Sequence, residues 1–214
     1  MEEVLDFYEE PADPARPRVC VDELPYHLLE DKVPPVAGEP GRPPREDYTY
    51  TQRATCNIFG IFQFETGWRH FAVTDRRTTD DFANLLKDLV DVYFPDATVI
   101  RLVTDNLNTH GPHALYATFP AEEAHRIARK LDWHYTPVHG SWLNMVEIEL
   151  GLLKSHCLKR RLPTVQRVQE EAAAWEAERN AAHATVHWHF TTPQARKTLR
   201  RLYPVKPDKI SVAE

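Results

Sequence analysis

Two runs of aromatic and β-branched residues, YTYTQRATCNIFGIFQF (48–64) and WRHFAVTD (68–75), are separated only by Glu65, Thr66 and Gly67. So short a connection cannot carry a crossover, so the two runs are expected to pair as an antiparallel hairpin. Later strand-like runs are each reached through a helix-like one. TTDDFANLLKDLVDVYF (78–94) sets Phe82, Leu85, Leu86, Leu89, Val90 and Tyr93 at helical spacing, with Thr79 or Asp80 as N-cap. It precedes ATVIRLVTD (97–105), apolar enough to be covered on both faces. A helix from about Pro120 to Lys130 leads to a fifth short strand, LDWHYTP, and after VHGSWLN comes a helix from about Met145 to Leu158. PTVQRVQEEAAAWEAERN reads as a further helix, and Thr192-Pro193 starts a last one running to Tyr203. Near the start, PRVCVDEL (17–24) reads as a short buried strand ending on Asp22-Glu23, followed by a Pro- and Gly-rich loop within 31–50. Helical crossovers make parallel neighbours. The expectation is an α/β fold: a mixed five-stranded sheet with helices on both faces. In it the strand bearing Asp22 can lie beside the strand bearing Asp105, with both acids at one edge.

A chain of 214 residues holds one good-sized core, and 42% hydrophobic with 27% charged residues argues against wholesale disorder. Cys20, Cys56 and Cys157 lie far apart without a CxxC pair, which suggests neither a disulfide framework nor a zinc knuckle and fits a reducing cytosol. No apolar run reaches membrane-spanning length, no signal peptide opens the chain, and no internal repeat is visible. The net charge of −6 is unevenly spread: residues 1–50 carry −8, the middle hundred −4, and residues 151–214 +6. An acidic protein with a basic C-terminal third can still present a phosphate-binding surface, although a basic helical face is often only solvated.

Asp22, Asp105 and Glu147 stand out among the acids, the first two at strand ends and the third at a helix start after HGSWLN. Carboxylates that converge repel one another unless a cation lies between them, and hard divalent ions such as Mg²⁺ prefer oxygen ligands of this kind. Two ions sharing an Asp would activate a water and stabilise the leaving oxygen of a phosphodiester. Each acid also has a plainer reading. Asp105, in VTDNLNTHGP, suits a turn, because Asp bonds its own backbone two residues on. Asp22 beside Glu23 suits a solvated strand end. Asn144 and Glu147 match a capping box. Glu149 competes with Glu147, since both flank the stripe Val146, Leu150, Leu153 and Cys157 and helical phase does not choose between them.

The segments CVDE, VTDNLNTHGP, HYTPVHGSWLNMVEIEL and VHWHFTTPQARKTLRRLYP, in that order along nearly the whole chain, resemble the signatures of bacterial insertion-sequence transposases of the mariner superfamily, the "630" group. The resemblance implies a DDE superfamily endonuclease domain over residues 1–205 with a tail at 206–214. It further implies an RNase H-like (retroviral integrase-like) core and a catalytic, metal-binding triad of Asp22, Asp105 and Glu147 holding two Mg²⁺ or Mn²⁺ ions. The implied activity is strand cleavage at element ends and strand transfer into TA target DNA. Its partner is double-stranded DNA, its assembly a homodimer on that DNA, and its place the bacterial cytoplasm at the nucleoid. Within this reading Asn106, Asn108 and His110 brace the ligands or touch the scissile phosphate, and His139, Ser141, Trp142 and Asn144 contact DNA near the cut. Lys197, Arg200 and Arg201 share a face of the last helix and grip phosphates. Packing is an equal reading for Trp142.

His183, His187 and His189 have partial zinc-ligand spacing but no acidic or cysteine partner nearby, and Trp188 and Phe190 alternate with them as in an extended segment packing its aromatics. Transposases of this kind usually carry helix-turn-helix modules before the core, whereas this sequence opens at MEEVLDFY, with no recognition helix before Asp22. The expectation is therefore a domain that works with an upstream DNA-binding polypeptide or a full-length transposase. A catalytically silent inhibitor and a non-transposing nuclease of the same fold are the alternatives.

Overall fold

The computed structural model describes residues 1–105, 107 and 111–203, and the expected tail at 206–214 lies outside them. Five strands, β1 (Arg18–Asp31), β2 (Tyr50–Gln63), β3 (Trp68–Thr74), β4 (Ile100–Thr104) and β5 (Leu131–Tyr135), form one sheet in the order β3-β2-β1-β4-β5. The hairpin expectation holds: β1, β2 and β3 are antiparallel neighbours, while β4 lies parallel to β1 and β5 parallel to β4.

Alternation along the strands divides the core. Val19, Val21, Phe59 and Ile61 face one side, where α2 (Thr79–Asp88), α3 (Pro112–Thr118) and α4 (Ala121–Ala128) bring Phe82, Leu86, Leu115 and Ile127. Cys20, Ile58, Phe62 and Val103 face the other, against α1 (Glu2–Glu9), α5 (Val146–Leu152), α6 (Val165–Ala181) and α7 (Thr192–Thr198). Burying both faces removes enough apolar surface from water to drive the collapse.

Several boundaries differ from the sequence reading. The first strand does not stop at Asp22-Glu23; it stays paired with β2 as far as Asp31, because main-chain bonds continue where polar side chains mask the hydrophobic alternation. The loop that follows carries isolated bridges between Val36 and Arg45 and between Glu39 and Arg42. The N-cap of α2 is Thr78, whose side chain accepts from Asp81 N in a capping box. Helices α1, with Val4, Leu5, Phe7 and Tyr8 all buried, and α3 were not expected from the sequence, both being too short for a helical period to declare itself. The helix expected over 145–158 is α-helical only to Leu152 and then widens into a π-turn over Leu153–Cys157.

Edge strand β3 does not end in bare backbone. The side chains of Gln169, Glu176 and Asn180, along one flank of α6, bond it at every second residue. Gln169 Nε2 donates to Val73 O at 3.3 Å, and Phe71 N donates to Glu176 Oε2 at 2.9 Å. Asn180 accepts from Arg69 N at 2.9 Å and donates to Arg69 O at 2.8 Å. The polar helix is thereby fixed across the sheet edge.

Candidate active site

Pairing between β1 and β4 runs only from Arg18–Arg101 to Cys20–Val103, so the two parallel strands part just before Asp22 and Asp105. Ligand crevices in α/β sheets form at such carboxyl ends. Asp22 projects to the α5 side and is 7% exposed. Its Oδ1 accepts from Glu23 N at 2.8 Å, and its Oδ2 accepts from Asn144 Nδ2 at 3.3 Å. Burial pushes its carboxyl up from the usual 3.8 to about 7; the Glu23 amide opposes this, and the negative charges of Glu147 and Asp105 add to it. Asp22 thus feels both of the other acids singled out in the sequence.

Glycine makes the approach of the third acid possible. Gly60 is the β2 partner of Asp22, and a Cβ there would stand 2.9 Å from Leu150 Cδ2 and 3.0 Å from Val146 Cγ2. The missing side chain lets α5 lie close on the sheet beside Asp22. Glu147, in the first turn of α5, is exposed. The capping box expected between Asn144 and Glu147 does not form: Met145 is the N-cap and makes no side-chain cap bond. The Asn144 side chain instead points inward, where its Nδ2 donates to Val21 O at 2.9 Å as well as to Asp22. Asn144 is fully buried, which corrects its expected place at the DNA surface; it holds the GSWLN loop to β1.

Burial distinguishes the two glutamates. Glu149 is 0% exposed, with Arg69 Nε 2.8 Å from its Oε2. Arg179 donates to it twice, from Nε at 3.0 Å and from Nη2 at 2.8 Å. The two glutamates stand two residues apart, about 200° around a helix, so one faces inward while the other faces out.

Asp105 follows β4 directly, and Leu107 N lies 3.4 Å from its Oδ1, the local contact of the turn reading. The turn and the crevice are therefore compatible. Asp105 and Leu107 share a cleft of about 250 Å³ with Pro137, Val138, His139 and Ser141. His139 sits in the left-handed region at φ 62°, and both it and Ser141 are exposed. Asn106, Asn108 and His110 lie outside the described residues.

Trp142 packs, as one of its two readings expected, without being buried. It is 45% exposed yet stacks on Trp188 with ring centres 6.3 Å apart and meets Phe190 edge-on at 5.8 Å. Trp188 in turn packs 5.1 Å from Tyr8, whose hydroxyl donates to Leu143 O at 2.7 Å. The aromatics of the histidine-rich segment therefore brace the loop before Glu147. Among the described residues no three His, Cys, Asp or Glu side chains are gathered around one point as a ready metal cage, His183, His187 and His189 included. Lys197, Arg200 and Arg201 are exposed, but α7 ends at Thr198 and a 3₁₀ turn follows over Arg200–Leu202, which breaks the single helical face expected of them.

Sequence reasoning missed the supporting residues: Gly60, Arg69, Arg179, Tyr8 and Trp188. Only the aromatic alternation around Trp188 gave a sequence signal, because the others act through long-range contacts.

A family model described as DDE superfamily endonuclease matches residues 17–169. No curated protein matches in sequence. Among solved structures, a pre-cleavage Mos1 transpososome matches with a TM-score of 0.55 at 14% identity, over 85% of this chain and 55% of that one. The Mos1 mariner paired-end complex with Mn matches with a TM-score of 0.51 at 15% identity and the same coverage. The Mos1 strand transfer complex matches with a TM-score of 0.51 at 14% identity, over 82% and 51%. At these identities the likeness is one of fold, the RNase H-like arrangement of a mixed five-stranded sheet with helices. The chain spans little more than half the length of the Mos1 chains it matches. No helix among the described residues is long and apolar enough to cross a membrane.

Proposed function

The chain belongs to the DDE superfamily of endonucleases, and from that premise we propose that it is the catalytic domain of a DNA transposase. Asp22, Asp105 and Glu147 would hold two Mg²⁺ or Mn²⁺ ions. The observation that carries this reading is the state of Asp22: buried, raised to about 7, and pressed by the charges of Glu147 and Asp105. A buried carboxylate without a counter-charge is costly, and hard oxygen ligands of this kind at the end of two parting strands suit a divalent cation, although the three acids are not drawn together as a ready cage. When bound, the ions would supply a nucleophilic water and stabilise the leaving oxygen.

The chain's own residues do the positioning. Glu23 N and Asn144 Nδ2 fix the two oxygens of Asp22. Gly60 admits α5, and the buried side of that helix turns Glu147 outward. His139 and Ser141, in the cleft with Asp105, would contact the strand near the scissile phosphate, and exposed Trp142 would stack beside it. Asn106, Asn108 and His110 would brace the same edge. Exposed Lys197, Arg200 and Arg201 would neutralise phosphates without reading bases. The substrate is double-stranded DNA, cut at element ends to leave a 3′-hydroxyl that the same site directs at a TA target. A homodimer on DNA would synapse two ends.

The test is cleavage of an end-labelled duplex with Mg²⁺ or Mn²⁺, wild type beside Asp105→Asn. Metal-dependent nicking that falls by at least roughly 10²-fold in the variant is expected, the scale on which one stabilising group registers. Equal nicking by both proteins would sink the site assignment.

A further inference from the structure

Glu149 has no part in the chemistry above, yet it is a fully buried charged group two residues from Glu147. Its surroundings come from three elements. Arg69 on β3, 0% exposed, meets its Oε2 at 2.8 Å, and Arg179 on α6 grips both of its oxygens. Arg69 Nε and Nη1 make no aligned hydrogen bond, while Nη2 donates to Ala184 O, so the guanidinium depends on Glu149 for its counter-charge. Burial pulls the Arg69 pKa below its ordinary value, and Glu149 opposes that pull. Both arginines are themselves held: Asn180 bonds the Arg69 main chain on either side, and Arg179 lies over the Trp175 ring at 5.5 Å.

An apolar stripe fixes how deep a helix sits but leaves its rotation soft, because dispersion contacts are non-directional. Two guanidinium groups meeting one carboxylate from different elements are directional. We infer that the Arg69–Glu149–Arg179 cluster sets the rotation of α5 and thereby aims Glu147 at Asp22, which makes Glu149 a positioning residue for the metal site. The inference rests on the proposed role of Glu147. It accounts for an expensive buried ion cluster on the helix that carries the third acid, where a hydrophobic filling would serve stability equally well.

The experiment is Mn²⁺ titration of the full chain, followed by electron paramagnetic resonance, on four proteins: wild type, Asp22→Asn, Glu149→Gln, and the apolar triple variant Arg69→Met/Glu149→Met/Arg179→Met. The triple variant leaves no orphaned charge, so it remains informative if Glu149→Gln fails to fold; circular dichroism and thermal melts report folding. The expected result is Mn²⁺ affinity at least about tenfold weaker in the folded triple variant, the size of effect seen when groups supporting metal ligands are lost. A folded triple variant with wild-type Mn²⁺ affinity, alongside loss of binding in Asp22→Asn, would overturn the inference and leave the proposed function standing. Absence of Mn²⁺ binding by the wild type would overturn both.

Discussion

The two sides of α5 carry the same chemical group in opposite circumstances. On the closed side Glu149 is buried and gripped by two arginines. On the open side Glu147 faces outward near Asp22, whose own carboxyl is buried and raised to about 7 by desolvation and by Glu147 and Asp105. A buried carboxylate with counter-charges is part of the architecture. One pressed by other carboxylates has no such counter-charge, which is the electrostatic setting the proposed cation would relieve. The difference distinguishes scaffold from candidate ligand more clearly than any spacing rule.

Breaking the closed side should have the largest effect on stability. Glu149→Ala leaves Arg69 buried without its contacting counter-charge, for an expected loss of about 3–5 kcal/mol in denaturant unfolding. A loss below about 1 kcal/mol would mean that Glu149 is not the counter-charge the fold depends on.

The open side should respond in the reverse sense. Because the folded-state pKa of Asp22 is raised from 3.8 to about 7, the native chain keeps a proton that the unfolded chain has already shed between those values. Metal-free stability contributed by this group is therefore fully present below about pH 4, falls as pH rises through the interval, and levels off above 7. At about 1.4 kcal/mol per unit the ceiling is roughly 4 kcal/mol. Asp22→Asn should flatten this slope and raise the metal-free melting temperature at pH 8, and Mn²⁺ should stabilise the wild type but not the variant. An unchanged slope in Asp22→Asn would remove the distinction between the two sides.

Gly60→Ala sharpens the comparison by pushing on the helix between them. The new methyl would meet Leu150 and Val146 at 2.9 and 3.0 Å. An overpacking loss of about 1–3 kcal/mol is expected, together with weaker Mn²⁺ binding. Asn144→Ala is the smallest perturbation. It removes the bonds to Val21 O and Asp22 Oδ2, for about 1–2 kcal/mol in thermal melts.

The strand–hairpin–helix order, the mixed sheet and the proximity of the Asp22 and Asp105 strands were legible in the chain because hydrophobic period and loop length are local properties. Helix α1 was not, because eight residues are too few for the buried positions Val4, Leu5, Phe7 and Tyr8 to declare a helical period. The extent of β1 beyond Glu23 was not legible, since its pairing depends on the β2 main chain rather than on its own side chains. Nor could Asn144 be read correctly: a cap and an inward-turned amide share one local sequence, and the nearby Val21 carbonyl selects between them.

The sequence by itself determined which residue types are available: three acids at the ends of strand- and helix-like runs, and a fourth two residues from the last. Only the tertiary structure decided which glutamate is buried and which is exposed. Two arginines, 80 residues before and 30 after Glu149, converge on it, and that convergence is a property of β3, α5 and α6 packed together. Electrostatic partners separated that far along the chain leave no periodic trace, because the free energy that fixes them arises only once the fold has removed water from between them.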